Sequence, residues 1–153
     1  MAGREELIGR HEQIMRRLLA IAETIAEVEQ ASRNQVLADT SSIKRITVLE
    51  GEEIVAEEPF GNRRAGDRQH VMMIPELLID CAGTTKEVGS ELNVMRDRLI
   101  RAILTDTELL GLTVNGRSIR YGGMNSDLAF LALMQGKMSL KFRILYALDP
   151  SSP

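Results

Sequence analysis

The chain has 153 residues, of which 44% are apolar and 27% are charged. This composition is that of one ordinary globular domain, and it argues against collagen-like, low-complexity and wholly disordered chains. The 19 Lys and Arg residues are outnumbered by 22 Asp and Glu, which gives a net charge of −3. Generic nucleic-acid binding is therefore disfavoured, because the domain as a whole presents no attractive field to phosphate backbones.

The composition indicates no membrane, metal or redox function. The apolar runs are far shorter than the ~20 residues of a membrane-spanning helix, and Glu5 and Glu6 stand where a secretory signal would be basic or apolar. We therefore expect a protein that is made and kept inside a cell. Cys81 has no second cysteine to pair with, and with only His11 and His70 no zinc site of several residues can form, so no metal or cofactor is predicted. The few aromatic residues offer little surface for stacking bases, so the expected partner is protein.

The first element is predicted to be an amphipathic helix from Arg4 to about Gln30. Apolar residues recur there at spacings of three, four or seven, which is the helical period. The stripe consists of Leu7, Ile14, Leu18, Ile21, Ile25 and Val28. The same spacing would suit a coiled-coil seam, but a helix that packs on its own sheet is the commoner use of such a stripe.

The next segments change from helical to strand period. Ser32 to Ser42 is polar and is interpreted as a connection, whereas Arg45 to Val48 alternates apolar with polar residues and predicts a strand with one buried face. Glu50 to Glu53 is interpreted as the turn that ends this strand, and Ile54 to Ala56 as a second short strand. The acidic turn lacks the spacing of a calcium loop, so a solvated turn is favoured over a cation site.

Pro59 to Gln69 is basic, contains glycines and has no hydrophobic period, which predicts a long mobile loop. Its arginines, Arg63, Arg64 and Arg68, could contact phosphates. Because the rest of the domain is acidic, a loop that becomes ordered against a neighbouring protein is at least as well supported.

His70 to Cys81 returns to strand character, and Pro75 within it indicates an edge position or a bulge. Leu77, Ile79 and Cys81 fall on one face of this strand. A lone histidine next to a loop is most often solvated or structural, so His70 is not predicted to be a general base. Cys81 is interpreted as a small buried hydrophobe.

A second helix is predicted to begin at Thr84, because Thr84 and Glu87 have the spacing of a capping box. Its apolar stripe consists of Val88, Leu92, Met95, Leu99 and Ile103. Turn residues follow, with room for a short strand at Ser118 to Tyr121.

The clearest strand in the sequence is the last. Leu140, Phe142 and Ile144 are predicted to be buried against the helices, while Lys141 and Arg143 stay in water or face a neighbouring subunit. Phe130 to Met134 is predicted to pair with this strand through a tight turn at Gln135-Gly136.

The order of elements predicts an α+β fold, with a mainly antiparallel sheet and two helices packed on one face. We expect a single domain over residues 1–153, with a mobile loop at about 59–69 and a short disordered tail at 149–153. The sequence contains no Gly-x-Ser-x-Gly elbow, no phosphate-binding Gly-Lys-Ser loop and no His-Glu-x-x-His, so no enzyme is predicted.

Four segments, taken in order and spacing, resemble the tail terminator and tail-completion proteins of long-tailed bacteriophages and related gene transfer agents. They are the opening helix Ile14 to Leu19, the strand and acidic stretch Ile46 to Glu53, the helix Leu99 to Leu104 running into Thr107, and the closing strand Leu140 to Tyr146 with its Asp149-Pro150 ending. The resemblance covers the chain from about Ile14 to Pro150. The chain departs from the family pattern at Arg45, where a proline often stands, and in its extended Glu57 to His70 loop.

The resemblance implies a small α+β domain that is not an enzyme and that assembles as a homo-oligomeric ring, a hexamer by family resemblance. Such a ring caps the head-proximal end of the tail tube, ends tube polymerisation and supplies the surface for head joining. The implied partners are the tail tube protein and a head-completion or neck protein, in a virion assembled in the host bacterial cytoplasm. A neck or head-closure protein, which would act as a head-tail connector on the portal side, is the alternative within phage assembly.

A small intracellular RNA-binding α+β module is the alternative from another class. The loop from Arg63 to Arg68 would be its contact. The chain lacks the Gly-x-x-Gly clamp and the aromatic sheet face that such modules use, so no specific nucleic-acid binding is predicted. A small-molecule enzyme would need a pocket ligand that no residue in the sequence identifies.

The ring hypothesis identifies candidate interface residues. A closed ring joins two different surfaces of neighbouring subunits, so a basic patch of one copy would meet an acidic patch of the next. The candidates are Arg63, Arg64 and Arg68 in the loop and Glu50, Glu52 and Glu53 in the acidic turn.

Overall fold

The computed structural model describes residues 8–34, 44–55, 65–80, 88–124 and 136–150. They form an α+β fold built on a five-stranded sheet. The strands are β1 (Gln30–Arg33), β2 (Arg45–Val55), β3 (Gln69–Asp80), β4 (Ile119–Met124) and β5 (Lys137–Leu148). The helices are α1 (Arg10–Thr24), α2 (Val88–Thr105) and the short α3 (Thr107–Gly111), followed by a 3-10 turn at Val114–Gly116.

The sheet has the spatial order β1-β2-β3-β5-β4, so β1 and β4 are its two edges among the described strands. β1 pairs in parallel with β2, and the pairs β2–β3, β3–β5 and β4–β5 are antiparallel. The predicted fold class, with a mainly antiparallel sheet, is therefore confirmed.

One face of the sheet packs against the helices and forms the core. Leu140, Phe142 and Ile144 of β5 are fully buried there, as predicted, whereas Arg143 is exposed and Lys141 is half-buried. The helices contribute the buried residues Ile14, Met15, Leu18, Ile21, Leu92, Met95, Leu99 and Ile103. The apolar stripes of the sequence thus identified the buried faces of both long helices, because burial follows the 3.6-residue period.

The first helix is shorter than predicted, and a strand follows it. α1 ends at Thr24, and Ile25 is already extended, with φ −67° and ψ 128°. Gln30 to Arg33 then pairs with Arg45 to Val48, so Ser32 and Arg33 are strand residues and not part of a connection. The sequence does not predict this strand, because it forms by pairing with residues that are distant in the chain. Gln30 to Arg33 are polar or small and carry no local strand signal.

The acidic stretch Glu50 to Glu53 is not a turn, contrary to the prediction. β2 continues through it as one strand of 11 residues, with a bulge between Leu49 and Glu52. Gly51 has φ +67°, and a Cβ placed on it would lie 1.9 Å from the Ile74 carbonyl oxygen. A bulge of this kind changes the direction of a strand without ending it, and glycine is the residue that fits it.

Pro75 of β3 lies opposite this bulge. Leu49 pairs with Glu76 and Glu52 pairs with Ile74, which leaves Pro75 beside the inserted residues of β2. β3 is the central strand of the sheet, so the edge alternative for Pro75 is wrong and the bulge alternative is confirmed. Pro75 has no N–H to donate, and it is not among the paired residues of the β2–β3 or β3–β5 ladder.

The short helix α3 was not predicted. Asp106 caps it, because the Asp106 carboxylate accepts a hydrogen bond from the Leu109 amide at 2.8 Å. The predicted short strand at Ser118 to Tyr121 is confirmed as β4. No helix in the described ranges is long and apolar enough to cross a membrane.

Some predicted features lie outside the described residues. These are most of the loop at 59–69 with Arg63 and Arg64, Cys81, the capping box Thr84 to Glu87, the pairing segment Phe130 to Met134 and the last three residues. Over Leu140 to Ile144, β5 has β3 on one side and β4 on the other.

Candidate functional site

Two carboxylates of β2 face the start of α1 and bind the same histidine. His11 Nε2 lies 2.9 Å from Glu50 Oε2, and His11 Nδ1 lies 3.0 Å from Glu53 Oε1. Burial alone would lower the pKa of His11, but its hydrogen bonds to Glu50 and Glu53 more than offset burial, so the pKa is raised. Both ring nitrogens are donors when the imidazole is protonated, which is the form that two carboxylates stabilise.

Arg33 of β1 joins the same cluster from the sheet edge. Its guanidinium makes two hydrogen bonds to Glu12, at 2.7 and 2.9 Å, and also binds Glu50. The Arg33 hydrogen bond is the main reason why the pKa of Glu12 is lowered to about 2. Asn34 adds a hydrogen bond from its amide group to Glu50 and accepts one from the Glu50 backbone N–H, both at 3.2 Å.

Tyr146 closes the cluster from β5. Its hydroxyl donates to Glu53, and its ring meets the His11 ring edge to face at 6.1 Å. Tyr146 is 3% exposed, and burial, followed by the Glu53 contact, raises its pKa. The Tyr146 hydrogen bond is also the largest cause of the lowered pKa of Glu53.

We call His11, Glu12, Arg33, Asn34, Glu50, Glu53 and Tyr146 the carboxylate cluster. It ties α1 to β1, β2 and β5 through ion pairs and hydrogen bonds, and this is a structural role. The side chains of the cluster each have hydrogen-bond or ion-pair partners within it. The described residues contain no group of three His, Cys, Asp or Glu side chains arranged to hold a metal ion.

The predicted interface carboxylates thus fall into two environments. Glu50 and Glu53 have partners within their own chain, whereas Glu52 is exposed and lies opposite Ile74 on the other face of the sheet. Their contact with arginines of a neighbouring copy remains a prediction. The roles of His11 and Arg33 have no local sequence signal, because both depend on contacts between residues at least 17 positions apart in the chain.

Arg68, the predicted interface arginine within the described residues, lines a cleft of about 340 Å³ at one end of the sheet. The same cleft is lined by Arg10, His70, Asn115 and Asp149. The three basic residues come from the start of α1 and the start of β3, and Asp149 places one carboxylate among them. The cleft is therefore lined by side chains of both charges, which suits contact with a charged protein surface.

A second basic surface lies on the sheet face away from the helices. Arg120 of β4 is directly opposite Arg143 of β5 in the ladder, and Arg117 is close by. Together with Met72 and Leu145 these arginines line a cavity of about 430 Å³. The alternation of the last strand predicted that Arg143 would be exposed, but the opposition to Arg120 depends on a strand pairing that the sequence does not show.

Comparisons with known proteins complete the description of the site. No protein-family model matches the chain, and no curated protein matches it. The structure is similar to the sheath/tube terminator, in its extended state, of an extracellular contractile injection system, with a TM-score of 0.46 and 12% sequence identity. The alignment covers 89% of this chain and 55% of that one, so the chain spans about half the length of that terminator.

Proposed function

We propose that the chain is a structural assembly protein of a phage-type tail, which forms a ring at the head-proximal end of the tail tube. The ring ends tube polymerisation and provides the surface to which the head is joined. The role is structural and not enzymatic. The protein acts inside the virion, after assembly in the bacterial cytoplasm.

The observation that carries this proposal is that the four segments of the family resemblance form one packed unit. Ile14, Leu99 and Phe142, one from each of α1, α2 and β5, are fully buried in the same core, and Ile46 of β2 joins them. The segments that carry the resemblance therefore contribute to one core within this chain, which supports the proposal. The acidic stretch lies in the bulged part of β2, against α1.

The surface chemistry supports a protein partner over RNA. Tyr121, Phe142 and Tyr146, the aromatic residues of the described ranges, are all on the helix-covered face of the sheet. We call the opposite face of the sheet, where Arg120 and Arg143 are exposed and Thr47 and Ser139 are buried, the open face. Its described residues include no aromatic platform on which bases could stack, and base stacking is what single-stranded RNA modules use on their sheets. Half-buried apolar residues such as Met72 and Leu145 line the open face instead.

The test uses the purified full chain and a tail tube protein from the same genome. Sedimentation and electron microscopy are expected to show rings of the chain, and tubes polymerised in its presence are expected to be shorter and closed by a ring at one end. Tubes of unchanged length, with the chain sedimenting only as a monomer, would refute the proposal. Rings that bind isolated portal complexes but not tube ends would instead favour the neck alternative.

A further inference from the structure

The open face of the sheet carries an uncompensated pair of like charges. Arg120 and Arg143 are exposed and directly opposite on adjacent antiparallel strands, an arrangement that destabilises a sheet. Within the described ranges, neither side chain nor that of Arg117 makes an ion pair or hydrogen bond. Among the residues that the structure describes, three cations therefore lie together without a counter-charge.

Apolar side chains continue this surface across the sheet. Ile54, Met72 and Leu145 are aligned in one row on β2, β3 and β5, because Ile54 pairs with Met72 and Met72 pairs with Leu145. Ile54 is 51% exposed, and the other two are half-buried. We call Arg117, Arg120 and Arg143 with this apolar row the basic face. Its mixture of cations and apolar groups is typical of a protein interface.

Near the other edge of the sheet, two carboxylates have no ion-pair partner among the described residues. Glu23 is in the last turn of α1, where the helix dipole already places negative charge, and that turn contains no basic residue. Glu29 immediately precedes the edge strand β1 and is also exposed. Between them, Glu27 is paired with Lys44 and Arg98, so it is already neutralised. We call Glu23 and Glu29 the acidic edge.

The two surfaces are placed as a head-to-tail contact requires. Glu29 immediately precedes β1 and Arg120 lies on β4, and these are the two outermost described strands. Four strand spacings, roughly 19 Å, separate β1 from β4, and the apolar row lies on the strands between them. Complementary surfaces on opposite sides of one subunit produce a heterologous interface, and such an interface closes into a ring when the rotation between copies allows it.

We propose that the basic face of one copy binds the acidic edge of the next copy, and that this contact is the subunit interface of the assembled protein. The inference depends on the proposed ring. It replaces the carboxylates Glu50 and Glu53, which are already paired within the chain, by Glu23 and Glu29 as the acidic partners. A nucleic acid would also neutralise the arginines, but it would leave the apolar row and the acidic edge without a role.

Two charge-reversal variants test the contact. The first carries R120E and R143E, and the second carries E23R and E29R. In assemblies of either variant alone, like charges face each other at every contact between copies. We therefore expect the self-association of each variant to weaken by about tenfold or more. An equimolar mixture again opposes unlike charges at each contact between the two variants, so mixed assemblies are expected to form. The matched control is R101E, which reverses an exposed arginine of α2 that makes no ion pair in the described ranges.

Circular dichroism and thermal unfolding establish that each variant is folded, and sedimentation velocity gives the association of each variant and of the mixture. Loss of association in both variants, recovery in the mixture and no loss in R101E support the inference.

If wild type assembles and both variants assemble equally well, or if the mixture does not recover, the interface is elsewhere while the ring proposal stands. If R120E/R143E loses only binding to a single-stranded oligonucleotide, the basic face serves nucleic acid and the inference is refuted. A wild type that is monomeric with and without tubes refutes the ring itself.

Discussion

A single imidazole is the point at which the first helix is joined to the bulged strand. His11 uses one ring nitrogen for Glu50 and the other for Glu53, so its two hydrogen bonds span the bulge at Gly51. The side chain is 35% exposed, and water therefore screens part of the attraction. The contact contributes modestly to stability, but it depends on pH in a defined direction.

We predict that His11→Gln destabilises the protein more at low pH than at high pH. A histidine whose folded pKa is raised stabilises the fold fully below its unfolded pKa, and this contribution is lost as the pH rises through the folded pKa. The variant is expected to lose about 0.5–1 kcal/mol of unfolding free energy at about pH 6, and much less at about pH 9. Urea denaturation at both pH values measures the difference.

The control for this prediction is Glu52→Gln, which changes an exposed carboxylate of the same strand that does not contact His11. It should leave the pH dependence as it is in wild type. Below the ordinary pKa of a glutamate, the lowered pKa values of Glu50 and Glu53 reverse the trend, because their contribution is lost as they become protonated. A loss in His11→Gln that is equal at both pH values would mean that the imidazole acts through packing alone.

Phe142 is predicted to be the most costly aromatic side chain to remove. It is fully buried on β5 and meets Tyr121 edge to face at 5.7 Å, so truncation leaves a cavity in the centre of the core. Phe142→Ala is expected to cost about 3–5 kcal/mol of unfolding free energy, measured by denaturant titration. Leu148→Ala, at a residue of the same strand that is 44% exposed, should cost less than about 1 kcal/mol. Equal costs for the two variants would show that Phe142 is not a packed core residue.

The bulge in β2 decides where the carboxylate cluster forms. We predict that Gly51→Ala destabilises the protein, because a Cβ would lie 1.9 Å from the Ile74 carbonyl oxygen and the backbone of Gly51 has φ +67°. The strained backbone alone costs on the order of 1–3 kcal/mol. Gly89→Ala in α2 is the control, since no atom lies within 4 Å of its added Cβ and helix propensity favours alanine by roughly 0.5–1 kcal/mol. Denaturant unfolding of both variants is the measurement, and a Gly51→Ala protein as stable as wild type would contradict the structure of the bulge.

The sequence predicted those elements whose signal is local. The alternation from Met138 to Leu148 identified β5 and its buried face, because a strand half in water repeats every two residues. The sequence predicts a turn at Gly51 where the structure has a bulge, because a glycine among glutamates has the same local signal in both. β1 was missed because Gln30 to Arg33 becomes a strand only by pairing with β2. The candidate site was predicted less well than the fold, since the partners of Glu50 and Glu53 come from α1, β1 and β5.

The charged side chains of the domain fall into two groups by position. The carboxylate cluster lies between α1 and the sheet, where Glu50 and Glu53 have their partners inside the chain. Other charges are not neutralised by the described residues: the positive charges of Arg120 on the edge strand β4 and Arg143 on the neighbouring β5, and the negative charge of Glu23 at the end of α1. A chain with a net charge of only −3 can therefore attract its own copies, because association depends on where the charges are and not on their sum.

This division predicts that salt acts on assembly and not on the fold. The Debye length shortens from about 10 Å at 0.1 M salt to about 3 Å at 1 M, so charges that meet across an exposed interface are screened first. Raising the salt from about 0.1 M to about 1 M is expected to weaken self-association of the wild type by about tenfold or more. The thermal unfolding temperature of the dissociated chain should move little, because its core is apolar and Arg33 binds Glu12 through two hydrogen bonds. Sedimentation at a series of salt concentrations, with calorimetry on the same samples, separates the two effects. Association that is unchanged or strengthened by salt would indicate an interface held by apolar contact, and Ile54 with its row, not the arginines, would then be the residues to mutate.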